Sequence, residues 1–306
     1  MTFLNVRSIE TQTPVSLAIQ DDSFFPFYGG GSKARKLTYF LQKAENESCN
    51  AIVTAGASNS NHAKVVALAC AEKGWECTIV VHDKEDYTKG NLLLMKLAGA
   101  KLIFCSLDEV APLMDKEMGR FREQRLKPYY IYGGGHGLPG YLAFYEAAKS
   151  YVQSQPDLLP DYVVHASGTG GTQAGLIVGF NEFLPEAKVI GVSVARDQGR
   201  GASVIRESCN ELTSYLDVPS VPDEKICFRD DWVGAGYGFT YPELLDTIKN
   251  FSASYGLVTD PTYTGKALHG LTVMIDRGDI PRGSKVLFWH TGGLINLFEH
   301  TQALLT

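Results

Sequence analysis

The 306-residue chain predicts an α/β fold of two lobes, each a parallel sheet covered by helices. Short β-branched runs alternate with helical patterns along most of its length. The strands are apolar throughout instead of alternating, as in sheets buried on both faces. A polar, Pro-bearing stretch, Gln153-Ser154-Gln155-Pro156-Asp157, interrupts the series near its middle and marks the boundary between lobes. In such folds a ligand is expected in the crevice at the carboxyl ends of the strands.

The elements follow in order. After a glycine run, residues 34–44 carry Leu37, Phe40 and Leu41 at helical spacing. The strand Ala51-Ile52-Val53-Thr54-Ala55 precedes a helix over 61–73. Strands Cys77-Thr78-Ile79-Val80-Val81 and Lys101-Leu102-Ile103-Phe104-Cys105 bracket a helix over 89–98. Tyr129-Tyr130-Ile131-Tyr132 leads into a helix over 141–151. The second series is the strand Tyr162-Val163-Val164-His165-Ala166, a helix from Thr172, the strand Val189-Ile190-Gly191-Val192-Ser193 and a helix near Ala202. Lys285-Val286-Leu287-Phe288-Trp289 is a last buried strand.

Composition excludes several classes. A chain 44% hydrophobic and 20% charged buries a sizeable core. Its net charge of −6 argues against nucleic acid or an anionic membrane as partner. No apolar run reaches the roughly 20 residues of a membrane span. The start, Met1-Thr2-Phe3-Leu4-Asn5-Val6-Arg7, lacks the pattern of a secretion signal. The six cysteines are scattered without CxxC pairing and read as reduced core residues of a cytoplasmic protein, and no metal is expected.

Lys33 is the most informative residue. It follows Gly29-Gly30-Gly31-Ser32, with Ser32 as a reasonable N-cap, which puts Lys33 in the first helical turn. A helix N-terminus disfavours a cation, and Arg35 and Lys36 add like charge. Both effects lower the pKa and make an amine nucleophilic toward carbonyls. A solvated basic helix start explains the segment equally well.

Two strand-to-helix turns carry more polar groups than a turn requires. Ser167-Gly168-Thr169-Gly170-Gly171-Thr172 offers successive N–H groups and two threonine hydroxyls at a helix N-terminus, an anion site suited to phosphate. It has neither the Lys-Ser/Thr of a Walker loop nor Gly-x-Gly-x-x-Gly spacing. Ser58-Asn59-Ser60-Asn61-His62 places four polar residues before a histidine, where capping needs one, and the surplus suits a carboxylate. His290, in Trp289-His290-Thr291-Gly292-Gly293, is assigned no role.

These motifs together carry a resemblance. Gly-Gly-x-Lys-x-Arg-Lys-Leu around Lys33, Ser60-Asn61-His62, the 168–172 loop, Asp260-Pro261-Thr262-Tyr263-Thr264-Gly265-Lys266 and His290-Thr291-Gly292-Gly293 resemble the fold-type II pyridoxal phosphate enzymes. The branch is that of 1-aminocyclopropane-1-carboxylate (ACC) deaminase and D-cysteine desulfhydrase. The similarity runs from about residue 21 to about residue 298. It implies a tryptophan synthase β-like fold with a larger cofactor-binding domain of residues 1–36 and 151–306 and a smaller domain of 37–150. It also implies pyridoxal 5′-phosphate as cofactor, a small amino acid as substrate and a homodimer.

Position by position, Lys33 matches the lysine that holds the cofactor covalently and later moves the Cα proton. Ser60 matches the serine facing the substrate Cα and carboxylate; Asn61 matches the asparagine on the cofactor 3′-oxygen, with His62 beside it. Gly168, Thr169, Gly170, Gly171 and Thr172 match the phosphate loop, and Tyr237 and Tyr263 match two active-site tyrosines. Thr264 stands where deaminases carry a glutamate facing the pyridine nitrogen, and Thr291 where they carry leucine. Both threonines follow the desulfhydrase pattern. A carboxylate keeps the ring nitrogen protonated and the ring a strong electron sink, as cyclopropane opening demands, whereas β-elimination of thiolate needs less. The implied reaction is β-elimination giving pyruvate and ammonium. ACC deamination and a specialised β-replacement are the alternatives, and a non-catalytic cofactor carrier would have no use for Ser60 or Tyr237. The chain departs from the family at Ser32, where asparagine is usual, at Phe24-Phe25-Pro26-Phe27, and in the glycine-rich run Gly133-Gly134-Gly135-His136-Gly137.

Overall fold

The computed structural model describes residues 3–86 and 90–305. The elements are β1 (Val6–Ile9), β2 (Ser16–Asp21), α1 (Gly31–Asn46), β3 (Ala51–Gly56), α2 (Asn61–Lys73), β4 (Glu76–Val81), α3 (Gly90–Leu97), β5 (Lys101–Phe104), α4 (Val110–Glu123) and β6 (Pro128–Ile131). There follow α5 (Leu138–Ser154), β7 (Tyr162–Ser167), α6 (Gly171–Phe183), β8 (Lys188–Ser193), α7 (Gln198–Leu216), β9 (Cys227–Arg229), α8 (Pro242–Tyr255), α9 (Thr264–Arg277), β10 (Lys285–His290), α10 (Leu294–Leu297) and α11 (Thr301–Leu305). Lys89, expected to begin the third helix, lies outside the described residues, as do Met1 and Thr2 of the N-terminal segment.

Among the described residues one sheet has the order β1-β2-β10-β7-β8-β9 and the other β5-β4-β3-β6. Pairing is parallel except for β1, which runs antiparallel to β2 at the sheet edge. The parallel sheets expected from the sequence are present, and β1 adds an antiparallel edge strand that was not expected. Arg7 and Ser8 face solvent in the centre of β1, so this strand has no buried run to announce it. By contrast β3 is buried along its whole length, as a strand covered on both faces must be.

The chain divides into two compact units: Met1–Pro26, Gly30–Ser32 and Tyr141–Thr306 form the larger, Phe27–Gly29 and Lys33–Gly140 the smaller. The boundaries expected from the sequence, 36/37 and 150/151, lie later in the chain in both places. Local packing accounts for the observed ones. In the larger unit α5 presses on α6, so that a Cβ on Gly175 would come 2.3 Å from the Tyr141 carbonyl. In the smaller unit Lys36 and Phe40 of α1 close on Gly140, where a Cβ would meet both at 3.3 Å.

The larger core packs Ile19, Val164, Val192 and Phe288 of the sheet against Leu268, Leu271 and Met274 of α9. The smaller packs Ala51, Val53 and Val80 against Met114, Met118 and Phe121 of α4. Each of the larger side chains among these contributes about 1.5–3 kcal/mol by leaving water. Parallel order sends the loops after β7 and β10 from the same edge of the larger sheet, and the 57–60 turn from the carboxyl end of β3 in the smaller. No helix among the described residues is long and apolar enough to cross a membrane.

Candidate active site

In the smaller unit, Lys33 stands in the first turn of α1 and its Nζ donates to the Gly134 carbonyl at 2.8 Å. The glycine-rich run after β6, a departure from the family in sequence, thus supplies the partner of the key lysine. Burial of the amine brings its pKa down to about 8. The direction matches the sequence argument, and the cause is desolvation by burial. Lys36 is itself buried, and burial, then Lys33, holds its amine well below the ordinary lysine range.

Ser60 caps α2, its Oγ accepting from the Ala63 N–H at 3.2 Å. The preceding strand must end in glycine, since a Cβ on Gly56 would sit 2.6 Å from Ser60 Oγ. Asn61 opens α2, and its Oδ1 accepts from Asn91 Nδ2 at 3.1 Å. His62 turns inward. Thr54 Oγ1 donates to the Ile131 carbonyl at 2.8 Å, so its 2.9 Å contact with His62 Nε2 uses a hydroxyl lone pair and Nε2 carries the proton. Burial, then Lys33 and Lys36, lowers the His62 pKa to about 3, so the imidazole is neutral at any physiological pH.

In the larger unit, β7 ends at Ser167 and α6 begins at Gly171. Gly170 caps α6 in a left-handed conformation (φ +87°) with no side-chain capping bond, so no side-chain cap competes for the first-turn N–H groups. Ser167 Oγ beside them is buried without a hydrogen-bond partner. Uncapped donors and an unpartnered hydroxyl at a helix N-terminus fit a phosphate.

The second cluster of this unit centres on Asp260. Its carboxylate accepts from the N–H groups of Thr262, Tyr263 and Thr264 at 3.0, 2.9 and 3.0 Å and from Thr264 Oγ1 at 2.8 Å. Burial raises its pKa, while the Thr264 and Tyr263 bonds and His290 pull it back. Thr264 Oγ1 also accepts from the Asp260 N–H at 3.1 Å and approaches the Gly292 carbonyl at 3.5 Å, next to Thr291. Ser32, expected as the cap of α1, lies inside that helix, and its N–H donates to the Thr291 carbonyl at 2.8 Å.

The hydroxyls of Tyr237 and Tyr263 share a hydrogen bond, their rings edge-on with centroids 5.9 Å apart. Burial, then Tyr237, keeps the Tyr263 hydroxyl well above the ordinary range and therefore protonated. Lys266, fully buried, donates to the carbonyls of Val233 at 2.7 Å and Gly236 at 3.0 Å and so anchors the loop that carries Tyr237. Each unit thus gathers its own share of the expected residues: Lys33, Ser60, Asn61 and His62 in one, the 168–172 loop, Tyr237, Tyr263, Thr264 and Thr291 in the other. Asp260, Lys266 and Asn91 have roles that sequence reasoning did not assign. The first two had a signal, an Asp and a Lys in the same short motif as Thr264; Asn91 had none.

A family model described as "Pyridoxal-phosphate dependent enzyme" matches residues 2–292. The D-cysteine desulfhydrases of Yersinia enterocolitica and Klebsiella pneumoniae are each 32% identical over 290 residues, covering 92% of this chain and 88% of theirs. The crystal structure of an ACC deaminase homologue superposes with a TM-score of 0.89 at 29% identity, over 99% of this chain and 93% of that one. O-ureido-L-serine synthase shares the fold, with a TM-score of 0.69 at 17% identity over 96% of this chain and 90% of that one. With a lysine of lowered pKa, an uncapped anion cradle and this match over nearly its whole length, the chain belongs to the fold-type II pyridoxal-phosphate dependent enzymes.

Proposed function

We propose that the protein eliminates the β-substituent of a small amino acid in the manner of a D-cysteine desulfhydrase, converting D-cysteine and water to sulfide, pyruvate and ammonium. The observation that carries this is Thr264: a buried, neutral hydroxyl bonded to Asp260 stands where a deaminase carries a carboxylate. Bound pyridoxal phosphate supplies the electron sink for the pair left when Cα loses its proton. By the family resemblance, residues 168–172 would hold the phosphate, Thr264 and Thr291 would serve the ring nitrogen, and Asn61 would serve the 3′-oxygen. Ser60 and the N–H groups that open α2 hold the substrate carboxylate. Lys33 holds the cofactor and moves the Cα proton. With a pKa of about 8, roughly one amine in ten is neutral at pH 7, as a general base requires. Tyr237, hydrogen-bonded to the protonated Tyr263, delivers a proton to the leaving sulfur.

The larger unit is read as the cofactor-binding domain and the whole as a cytoplasmic homodimer. The six free thiols support a reducing compartment. Light scattering tests the assembly against twice 33.5 kDa. The decisive experiment offers D- and L-cysteine, 3-chloroalanine, serine and ACC in turn. The expected result is pyruvate with sulfide from D-cysteine. Release of 2-oxobutyrate from ACC would move the protein to the deaminase branch. Lys33→Ala should abolish both turnover and the visible absorbance band; a retained band would remove Lys33 from its role.

A further inference from the structure

Asn91 lies in the first turn of α3, completely buried and thirty residues from Asn61. Its Nδ2 donates to the main-chain oxygen of Asn59 at 2.7 Å and to Oδ1 of Asn61 at 3.1 Å. The first bond settles the second. A backbone carbonyl only accepts, so the Asn91 atom facing it must be the amide nitrogen. That nitrogen also faces Asn61, so Asn61 turns its carbonyl oxygen toward Asn91 and its NH2 away. An unanchored asparagine amide presents either end.

We propose that Asn91 is a positioning residue that fixes the Asn61 amide with its NH2 outward, as a donor to the 3′-oxygen of pyridoxal phosphate. The inference rests on the cofactor role of Asn61 proposed above, and it adds what makes Asn61 a donor in place of an acceptor.

Asn91→Asp tests it by replacing a donor with an acceptor at nearly constant volume. Asn61 must then rotate its NH2 inward to meet the new carboxylate and present Oδ1 to the 3′-oxygen. The apparent affinity for pyridoxal phosphate, titrated through the visible band, should fall at least about tenfold, the scale of one charge-assisted hydrogen bond. The visible band should also lose intensity to a shorter-wavelength form, since the donor that stabilises an ionised 3′-oxygen is gone. In an Asn61→Ala background the same substitution should change affinity and spectrum less than twofold, because the residue it acts through is absent. An equal loss in that background would overturn the inference by showing that Asn91 acts through packing alone, and so would an affinity within twofold of the wild type. Asn91→Ser, which removes the amide without adding charge, gives the same reading if Asn91→Asp does not load. A wild-type protein that forms no visible band refutes the functional reading, and this inference with it. A wild type that forms the band while Asn91→Asp behaves normally refutes this inference alone.

Discussion

Thr264→Val separates the two jobs of this hydroxyl. Thr264 is fully buried, donates to Asp260 Oδ1 at 2.8 Å and accepts from the Asp260 N–H at 3.1 Å. Valine keeps the shape and removes both bonds. Losing a hydrogen bond to a buried carboxyl costs about 1.5–3 kcal/mol, and a stranded buried N–H costs about 1–3 kcal/mol more. The added methyl returns about 0.8 kcal/mol. Three backbone N–H donors remain on the carboxyl, which moves the result toward the lower end. The net expectation is about 2–4 kcal/mol. Urea unfolding of the cofactor-free protein reads it as a lowered midpoint at unchanged slope. A loss below about 1 kcal/mol would refute the view that Thr264 and Asp260 form one buried unit. Thr264→Glu is the sharper functional companion. It places a second carboxyl beside Asp260 where like charges force one of the two to stay protonated. Sulfide release from D-cysteine should fall, and undiminished release would defeat the ring-nitrogen argument.

Lys266→Met leaves the Val233 and Gly236 carbonyls without their ammonium and frees the loop of Tyr237. Turnover should drop at least about tenfold with little change in cofactor affinity, through the loss of two charge-assisted bonds that hold the loop of the proposed acid, Tyr237; wild-type kcat would show that the loop holds without them. The pH dependence has a definite sign. Burial lowers Lys33, Lys64 and Lys266 from 10.5 to about 8, so between those values the unfolded chain binds protons that the folded chain does not. The lysine contribution to stability therefore rises with pH in that window and is lost as pH falls through it. The buried thiols, raised by burial, act in the opposite sense over the same range, so the test is the difference in urea stability between the wild type and Lys64→Met: it should move in favour of the wild type from pH 8 to pH 9.5, and a pH-independent difference would mean this amine is solvated.

What could be read from the chain beforehand was whatever a short segment decides for itself. The strand β3 is apolar at each position that the sheet buries, and α2 runs from Asn61 to Lys73 as its pattern requires, because cap, periodicity and burial agree within a dozen residues. β1 was not legible: its two central residues are exposed, and its place comes from pairing with β2, from Val6 on Gln20 to Ile9 on Leu17. The site divides along the same line. The 168–172 loop is local, a left-handed glycine and a helix start, and it is found where the motif put it. The charges along its own helix single out Lys33, yet what lowers its pKa is desolvation, and its partner is a carbonyl 101 positions away. Asn61 could be matched to a role, but the direction of its amide is set by Asn91, across a separation no periodicity spans. Thr264 looked like a lone neutral hydroxyl. With Asp260 four residues before it, bonded through both main chain and side chain, it is one end of a buried hydroxyl–carboxyl pair. The absence of a deaminase glutamate therefore does not mean the absence of a carboxyl: one is present a hydrogen bond further back. On the proposed placement of the cofactor, the branches would differ in how directly a carboxyl reaches the ring nitrogen: Thr264→Glu would shorten that path, and Thr264→Val would break it by removing the hydroxyl between the ring and Asp260.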